Sequence, residues 1–186
     1  MTTIKGSAFL TSMNLARQTH GETGLKKVLD SLSEEDRQIL SSVISIGWYP
    51  LDVYVNLLTA ELMEFCRGNE AVFVEQRVYA GVEQQFKTIY RVFLQFGSPE
   101  MIMARLKSVN KQYFQNVSTE IKKLDSNKFL LVYSGFEKRH RVFELILKGW
   151  WIKILQLIGK KDVRFEIQTS IGAGKEYSEY IVSWQK

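Results

Sequence analysis

The chain has 186 residues and a net charge of +5, and 45% of its residues are hydrophobic. This composition excludes a disordered chain, and the modest charge does not indicate nucleic acid as a partner. A single cysteine, Cys66, excludes an intramolecular disulfide and a zinc site built from several cysteines. The length predicts a single domain over residues 1–186.

The first third of the chain is predicted to contain helices. Residues 21–32 place leucines and a valine on one side of a short helix, and Ser33 is a suitable N-cap for a second helix that starts with acidic residues. After Pro50, apolar residues recur at three- and four-residue spacing and predict a core helix that ends near Arg67 and Gly68. This apolar stripe consists of Leu51, Tyr54, Val55, Leu58, Leu62 and Phe65.

Two aromatic residues, Trp48 and Tyr49, stand directly before that helix. Because Pro50 favours an extended conformation for the residue before it, the two side chains should lie on opposite sides of the chain. We expect Trp48 to pack beneath the helix and Tyr49 to lie at its border, with the hydroxyl bonded to a partner group or water.

The middle of the chain changes from a helical to an alternating pattern. A long helix is predicted from about Glu70 to Phe96, where Gly97, Ser98 and Pro99 end it, and a short helix is predicted over residues 99–107. Polar and apolar residues then alternate over residues 111–122, as in a half-buried strand or hairpin. Residues 129–133 are apolar on both sides and predict a central strand.

The last third is predicted to contain one helix and a hairpin. Residues 142–158 are largely apolar but are interrupted by charged residues, so they predict a buried helix and no transmembrane segment. Residues 163–171 and 176–184 alternate around a GAGK turn, which predicts an antiparallel hairpin. The element order predicts an α+β fold, with an N-terminal helical layer packed on a C-terminal antiparallel sheet and one helix inserted between strands.

Five short stretches carry a resemblance to a known group of proteins. They are KGSAF at residues 5–9, WYPL at 48–51, YSG at 133–135, LKGWW at 147–151 and EYIVSW at 179–184. In these, the chain resembles an uncharacterised myxobacterial paralogous family of small proteins, related to the four-vinyl-reductase-like, TRAPP and haem-nitric-oxide-binding (H-NOX-like) domains. The resemblance implies the TRAPP/H-NOX-like fold.

The resemblance also allows the haem site of the relatives to be compared with this chain. Haem-binding members use a proximal histidine on a helix before the sheet and a Tyr-x-Ser-x-Arg motif that holds the haem propionates. Neither of the two histidines here, His20 and His140, matches the position of the proximal histidine. The stretch from Tyr133 to Glu137 reads YSGFE, which is one residue out of register with the propionate-binding motif. We therefore expect no cofactor and, in particular, no haem.

TRAPP subunits imply a different kind of site. They dimerise and scaffold partners, and some carry an acyl chain on a cysteine inside an apolar tunnel. Cys66 lies near the buried stripe of its helix, where it is either such a site or a small buried hydrophobic residue. An apolar pocket for a small or lipid-like ligand would then be lined by Trp48, Tyr54, Leu58, Cys66, Phe86 and Tyr90.

One polar cluster is a candidate anion site. Lys138, Arg139, His140 and Arg141 precede the helix at residues 142–158, where backbone amides and cations together can hold a phosphate or carboxylate. The alternative is a solvated loop. The GAGKEY stretch is not a phosphate-binding loop, because Glu176 replaces the Ser or Thr that binds magnesium and a strand follows it.

Two functional classes agree with these patterns. The first is a non-catalytic sensor or scaffold module of the cytoplasm, homodimeric and in contact with a protein partner, because acid, base and metal constellations are missing while apolar residues are plentiful. The second is an enzyme, or the regulatory subunit of one, whose site is assembled from residues scattered along the sequence.

Overall fold

A computed structural model describes residues 1–88, 98–136 and 140–185. The chain begins with strand β1 (Thr3–Lys5) and the long helix α1 (Gly6–Asp30), which is kinked at Gly21, where the backbone φ angle is 72°. Helix α2 (Glu34–Ser41), strand β2 (Trp48–Pro50) and helix α3 (Leu51–Cys66) follow. Ser33 caps α2 as predicted, because its side chain accepts a hydrogen bond from the amide of Asp36.

The next helical segment contains a change of helix type. Helix α4 (Glu70–Val72) runs directly into a π-helix (Phe73–Val78) and then into α5 (Tyr79–Thr88). The predicted long helix therefore exists, but not as a uniform α-helix, and its last part, residues 89–97, lies outside the described residues.

The second half contains the remaining helices and the larger sheet. Its elements are α6 (Pro99–Tyr113), β3 (Phe114–Gln115), β4 (Ser118–Asp125), β5 (Lys128–Ser134), α7 (Arg141–Leu157), β6 (Arg164–Thr169) and β7 (Tyr177–Ser183). The prediction of a strand over residues 111–122 is wrong at its start, because α6 continues to Tyr113. Asn116 then adopts a left-handed backbone conformation, which separates β3 from β4.

The strands form two antiparallel sheets. A small sheet has the order β2-β1-β3, and a larger one has the order β4-β5-β7-β6. The predicted C-terminal hairpin is confirmed, since Phe165 faces Val182 and Ile167 faces Tyr180 across the β6–β7 pair. The predicted central strand, β5, lies between β4 and β7, and α7 is the helix inserted between strands. The α+β fold with an N-terminal helical layer is thus confirmed.

Helix α7 joins the helical layer to the sheet. On one side, Gly149 lies against the π-helix so closely that an added Cβ atom would be 2.7 Å from Val78 Cγ1. On the other side, the buried carboxylate of Glu144 accepts hydrogen bonds from Ser170, Ser178 and Tyr180 at 2.7, 2.9 and 3.0 Å. These hydroxyls satisfy a charge that would otherwise be costly to bury.

Candidate functional site

A cavity of about 140 Å³, partly open to solvent, lies between the N-terminal helices and the larger sheet. Its walls come from β1, α1, α3, the π-helix, α5, α6, β3, β5 and α7. Much of the lining is apolar and includes Ile4, Val78, Val82, Phe143, Leu147 and Trp150. The polar lining residues include Ser12, Tyr54, Arg77, Asn110, Tyr113 and Tyr133. For comparison, a dry apolar cavity of about 150 Å³ in another protein binds benzene.

A buried ion pair forms one end of this cavity. The Arg77 side chain donates from Nε to Glu61 Oε2 at 2.6 Å and from Nη2 to Ser12 Oγ at 2.6 Å. Ser12 in turn donates to the other oxygen of Glu61 at 2.8 Å. Glu61 is fully buried and Arg77 is 12% exposed, so each charge is stabilised by the other and by the serine hydroxyl.

The position of Arg77 within the π-helix is a second feature of this end of the cavity. A π-helical turn is less stable than an α-helical one and occurs frequently at functional sites. The third guanidinium nitrogen, Nη1, donates no hydrogen bond to any residue that the structure describes, and it lies 3.4 Å from the position of a Cβ atom added to Gly81.

Tyr54 contributes another polar group to the wall. Its ring packs edge-on against Phe9, with 5.1 Å between ring centroids. Burial raises the pKa of Tyr54 to about 12, because the charged phenolate would lose its hydration there. Among the side chains and backbone groups that the structure describes, its hydroxyl has no hydrogen-bond partner.

Tyr133 connects the cavity wall to three elements. Its hydroxyl accepts hydrogen bonds from Trp151 Nε1 on α7 at 3.3 Å and from Asn110 Nδ2 on α6 at 3.4 Å. Asn110 also donates to Thr119 on β4 at 3.1 Å. Burial raises the pKa of Tyr133 as well, so the hydroxyl stays neutral and holds α6, α7 and the sheet together.

The sequence-predicted pocket residues are only partly brought together. Tyr54 and Leu58 line the cavity. Trp48 lies on β2, where Lys5 Nζ stands 4.4 Å from its ring centroid, and it is not a lining residue. Cys66 is buried at the end of α3, where burial raises the pKa of its thiol, but it does not line the cavity either. The side chain of Phe86 and all of Tyr90 lie outside the described residues.

The predicted anion cluster is described for its second half, since Lys138 and Arg139 lie outside the described residues. His140 is buried, with Nε2 at 3.0 Å from Asp52 Oδ1. Arg141 donates two hydrogen bonds to Glu70, at 3.0 and 2.7 Å, which lowers the pKa of that carboxyl. Both described side chains thus face carboxylates of the helical layer, and anion binding stays a prediction.

Sequence reasoning missed the Ser12–Glu61–Arg77 group. The three residues lie on α1, α3 and the π-helix, and nothing in a single sequence shows that these elements meet. One signal was present, because Glu61 follows Leu58 by three positions and therefore lies on the apolar face of α3. A carboxylate on a buried face requires a partner, and Arg77 supplies it.

Metal sites and membrane-spanning helices are both absent from the part of the chain that the structure describes. No cluster of three or more His, Cys, Asp or Glu side chains in that part of the chain is arranged to hold a metal ion. None of its helices has the length and apolar character needed to cross a membrane.

Comparison with known proteins places the fold. No protein-family model and no curated protein matches the sequence. Solved structures do match over 98% of this chain, and all those named here are H-NOX proteins. A mutant from K. algicida, Fe(II) unliganded, has a TM-score of 0.71 at 14% identity with 97% of its chain covered. A protein from S. oneidensis in the Fe(II)NO state has a TM-score of 0.69 at 16% identity with 100% covered. A third, from a study of haem distortion in the H-NOX family, has a TM-score of 0.64 at 12% identity with 96% covered.

The matches show that the chain has an H-NOX-like fold. They also overturn the expectation of no cofactor and no haem, because the matched proteins include iron-bound forms and their family is described as one that contains haem. That expectation rested on two histidines and on the register of the residues after Tyr133. Such sequence departures do not remove the cavity in which a cofactor would lie.

The lining residues fit a haem only in part. Haem iron is held in proteins by His, Cys, Met or Tyr side chains. The described lining includes the oxygens of Tyr54, Tyr113 and Tyr133 but no His, Cys or Met side chain. With a volume of about 140 Å³, the cavity would admit a porphyrin only if its walls moved apart. No step is therefore assigned to haem.

Proposed function

We propose that this chain is a non-catalytic sensor domain that binds a ligand in the cavity between the two layers. The observation that carries this proposal is the cavity itself, which is walled by both layers and contains a partly unpaired guanidinium and an unpaired hydroxyl. Donors that line a cavity and have no partner among the described residues are available to a bound molecule.

The walls also supply a route by which binding would be sensed. The π-helix contacts α7 at Gly149, and α7 is bonded to β5 through Trp151 and Tyr133. A ligand that alters the position of the π-helix would therefore alter the packing of α7 on the sheet. Packed interfaces of this kind respond in discrete steps, which suits a sensor.

Haem is the first cofactor to test, because the H-NOX proteins that match this fold are described as a family that contains haem. The oxygens of the lining tyrosines are the available iron ligands, and a haem in the cavity would give a Soret absorption band. Benzene is a suitable small probe, because it matches the cavity in size.

The experiment uses a cavity-filling variant, Gly81→Leu, and a control on the exposed surface, Ala71→Leu. We expect benzene to raise the Tm of the wild-type chain, or haemin to give a Soret band, since a ligand of the native state stabilises it by mass action. The Gly81→Leu variant should lose the effect and the Ala71→Leu variant should keep it. If neither benzene nor haemin has an effect on the wild-type chain, the proposal fails.

Several finer expectations remain part of this proposal. A homodimer, a protein partner, a cytoplasmic location and a single domain over residues 1–186 are inferred from the resemblance and the composition. The relation to the myxobacterial paralogous family and to the TRAPP and four-vinyl-reductase-like domains is likewise inferred from the resemblance. Analytical ultracentrifugation over a range of concentrations tests the dimer, and a monomer at every concentration would remove it.

The predicted anion site at residues 138–141 has its own test. Exchange of Arg139 for Glu should weaken the binding of inorganic phosphate without a change in the fold, as measured by calorimetry and circular dichroism, while Arg141 is left in place because it pairs with Glu70. Unchanged binding would exclude the predicted anion site.

A further inference from the structure

The polar end of the cavity indicates the chemical class of its ligand. We infer that the cavity binds a compact, uncharged carbonyl compound, whose oxygen accepts hydrogen bonds from the Arg77 guanidinium and the Tyr54 hydroxyl and whose apolar body fills the rest. The inference rests on the proposed function, because it names the ligand of the same cavity.

The first argument concerns Arg77. Its Nε and Nη2 groups are held by Glu61 and Ser12, which fixes the plane of the guanidinium. The hydrogen atoms of Nη1 remain available, because no side chain or backbone carbonyl among the described residues accepts a hydrogen bond from them. An arginine is a donor without any acceptor atom, so the group it lacks is an acceptor.

Tyr54 supplies the second argument. Its hydroxyl lies in the wall of the same cavity and is also without a hydrogen bond among the described residues. The hydroxyl is therefore available to water or to a ligand in the cavity. A carbonyl oxygen has two lone pairs and no proton to donate, so it suits donors of this kind.

Charge decides between a carbonyl compound and a carboxylate. Arg77 is paired with Glu61 at 2.6 Å, so the cation at this end of the cavity is already balanced. A carboxylate ligand would bring a second negative charge close to Glu61, in a site whose remaining lining is largely apolar. The desolvation of that charge would be poorly compensated, which favours an uncharged ligand.

Size sets the last limit. A volume of about 140 Å³ corresponds to a molecule of roughly benzene's size, and the lining side chains Val78, Val82 and Leu147 favour an apolar body. A small cyclic or branched ketone fulfils both requirements. The π-helical setting of Arg77 agrees with a ligand-binding role, since such segments are common at functional sites.

The test compares cyclohexanone with methylenecyclohexane, in which a CH₂ group replaces the carbonyl oxygen. Binding to the full chain is measured by amide chemical-shift titration. We expect the wild-type protein to bind cyclohexanone about tenfold more tightly, the equivalent of roughly one hydrogen bond. The Tyr54→Phe variant should lose most of this preference and should bind methylenecyclohexane as the wild type does.

A second variant is needed in case exchange of Arg77 alone prevents the protein from folding. The double variant Glu61→Leu with Arg77→Met replaces the ion pair by apolar side chains, a change that proteins often tolerate. It should bind both probes with equal affinity.

The outcomes separate this inference from the proposed function. Equal binding of the two probes by the wild-type chain would overturn the carbonyl inference and leave the sensing cavity in place. The carbonyl inference would also be overturned by a haem complex that excludes cyclohexanone, or by water as the sole hydrogen-bond partner of the Arg77 and Tyr54 donors. If no probe, benzene or haemin binds, the proposed function fails as well.

Discussion

The contact between Gly149 and the π-helix gives a quantitative prediction. A Cβ atom at residue 149 would lie 2.7 Å from Val78 Cγ1, well inside the 3.4 Å at which ordinary contact begins, and 3.1 Å from Val74 Cγ1. Both valines are buried and branched at Cβ, so they have little freedom to move aside. Overpacking of this kind costs about 1–3 kcal/mol, and the stiff partners favour the upper end.

The same substitution has a favourable part that must be subtracted. Alanine is more stable than glycine in the interior of a helix by about 1 kcal/mol. We therefore expect Gly149→Ala to reduce the free energy of unfolding by about 2 kcal/mol, measured by urea denaturation with an unchanged m-value.

A double-mutant cycle tests the contact with the Val78 side chain. In a Val78→Ala background the Cγ1 contact is removed, while Val78 Cβ at 2.9 Å and Val74 Cγ1 at 3.1 Å remain, so Gly149→Ala should destabilise the protein less than it does in the wild type, with a coupling energy of about 1 kcal/mol. If Gly149→Ala is equally stabilising in both backgrounds, α7 does not pack tightly on the π-helix. The proposed route from the cavity to the sheet would then be wrong.

Three further predictions concern buried or paired side chains. Glu144→Leu should cost about 3–5 kcal/mol of unfolding free energy, because three hydroxyls lose their acceptor, whereas Glu166→Leu on the exposed side of β6 should cost under about 0.5 kcal/mol; similar losses in urea denaturation would contradict this. The raised pKa of Tyr54, about 12, favours the neutral form in the folded protein, so its contribution to stability is complete below pH 10 and is lost as the pH rises toward 12. In a spectroscopic alkaline titration, Tyr54→Phe should remove one late-titrating tyrosine, and an unchanged curve would refute the burial. The Lys123 ammonium lowers the pKa of Glu100 to about 2, so its stabilising effect is present above pH 4 and is lost as the pH falls toward 2; an NMR titration of Glu100 in the Lys123→Met variant should show a higher pKa, and an unchanged value would exclude the ion pair.

The elements predicted well are those in which periodicity decides the structure. The apolar stripe after Pro50 and the alternation in residues 163–184 each determine which side of an element is buried, and that information is local. Helix α7 was predicted for the same reason, since residues 142–158 are apolar over more than half of their circumference. Tertiary packing agrees with the local pattern in all three cases.

Other features depend on contacts that the pattern does not contain. The first part of helix α1 buries Ala8, Phe9, Ser12 and Leu15. Because two of these residues are small or polar, their spacing does not predict an apolar stripe from the sequence. A π-helix differs from an α-helix by one residue in each hydrogen-bonded turn, and the composition of residues 73–78 does not reveal the difference. For the cavity, the sequence predicted Tyr54 and Leu58 but not Arg77, whose role depends on Glu61 and Ser12.

Trp48 shows how a correct local argument leads to a wrong expectation. Pro50 does fix an extended conformation before α3, but the extension becomes strand β2 of the small sheet. Trp48 is therefore only half-buried and receives Lys5 over its ring, whereas Tyr49 packs edge-on against Phe9 at 5.8 Å. The Tyr49 hydroxyl accepts from the amide of Ile44 at 2.9 Å, as expected for a tyrosine at the border.

The strand order of the larger sheet bears on how the protein folds during synthesis. Strand β5 lies beside β7, although α7 and β6 come between them in the chain. Until the ribosome has released β7, a nascent chain presents β5 with one edge open and with Phe129 and Leu131 unprotected, and β6 lacks the strand with which it pairs. An open apolar edge is a template for pairing with another chain, so this interval is the time of greatest aggregation risk. Chains cut before residue 177 should accumulate as aggregates, and chaperones that bind extended apolar segments should act on β5 first.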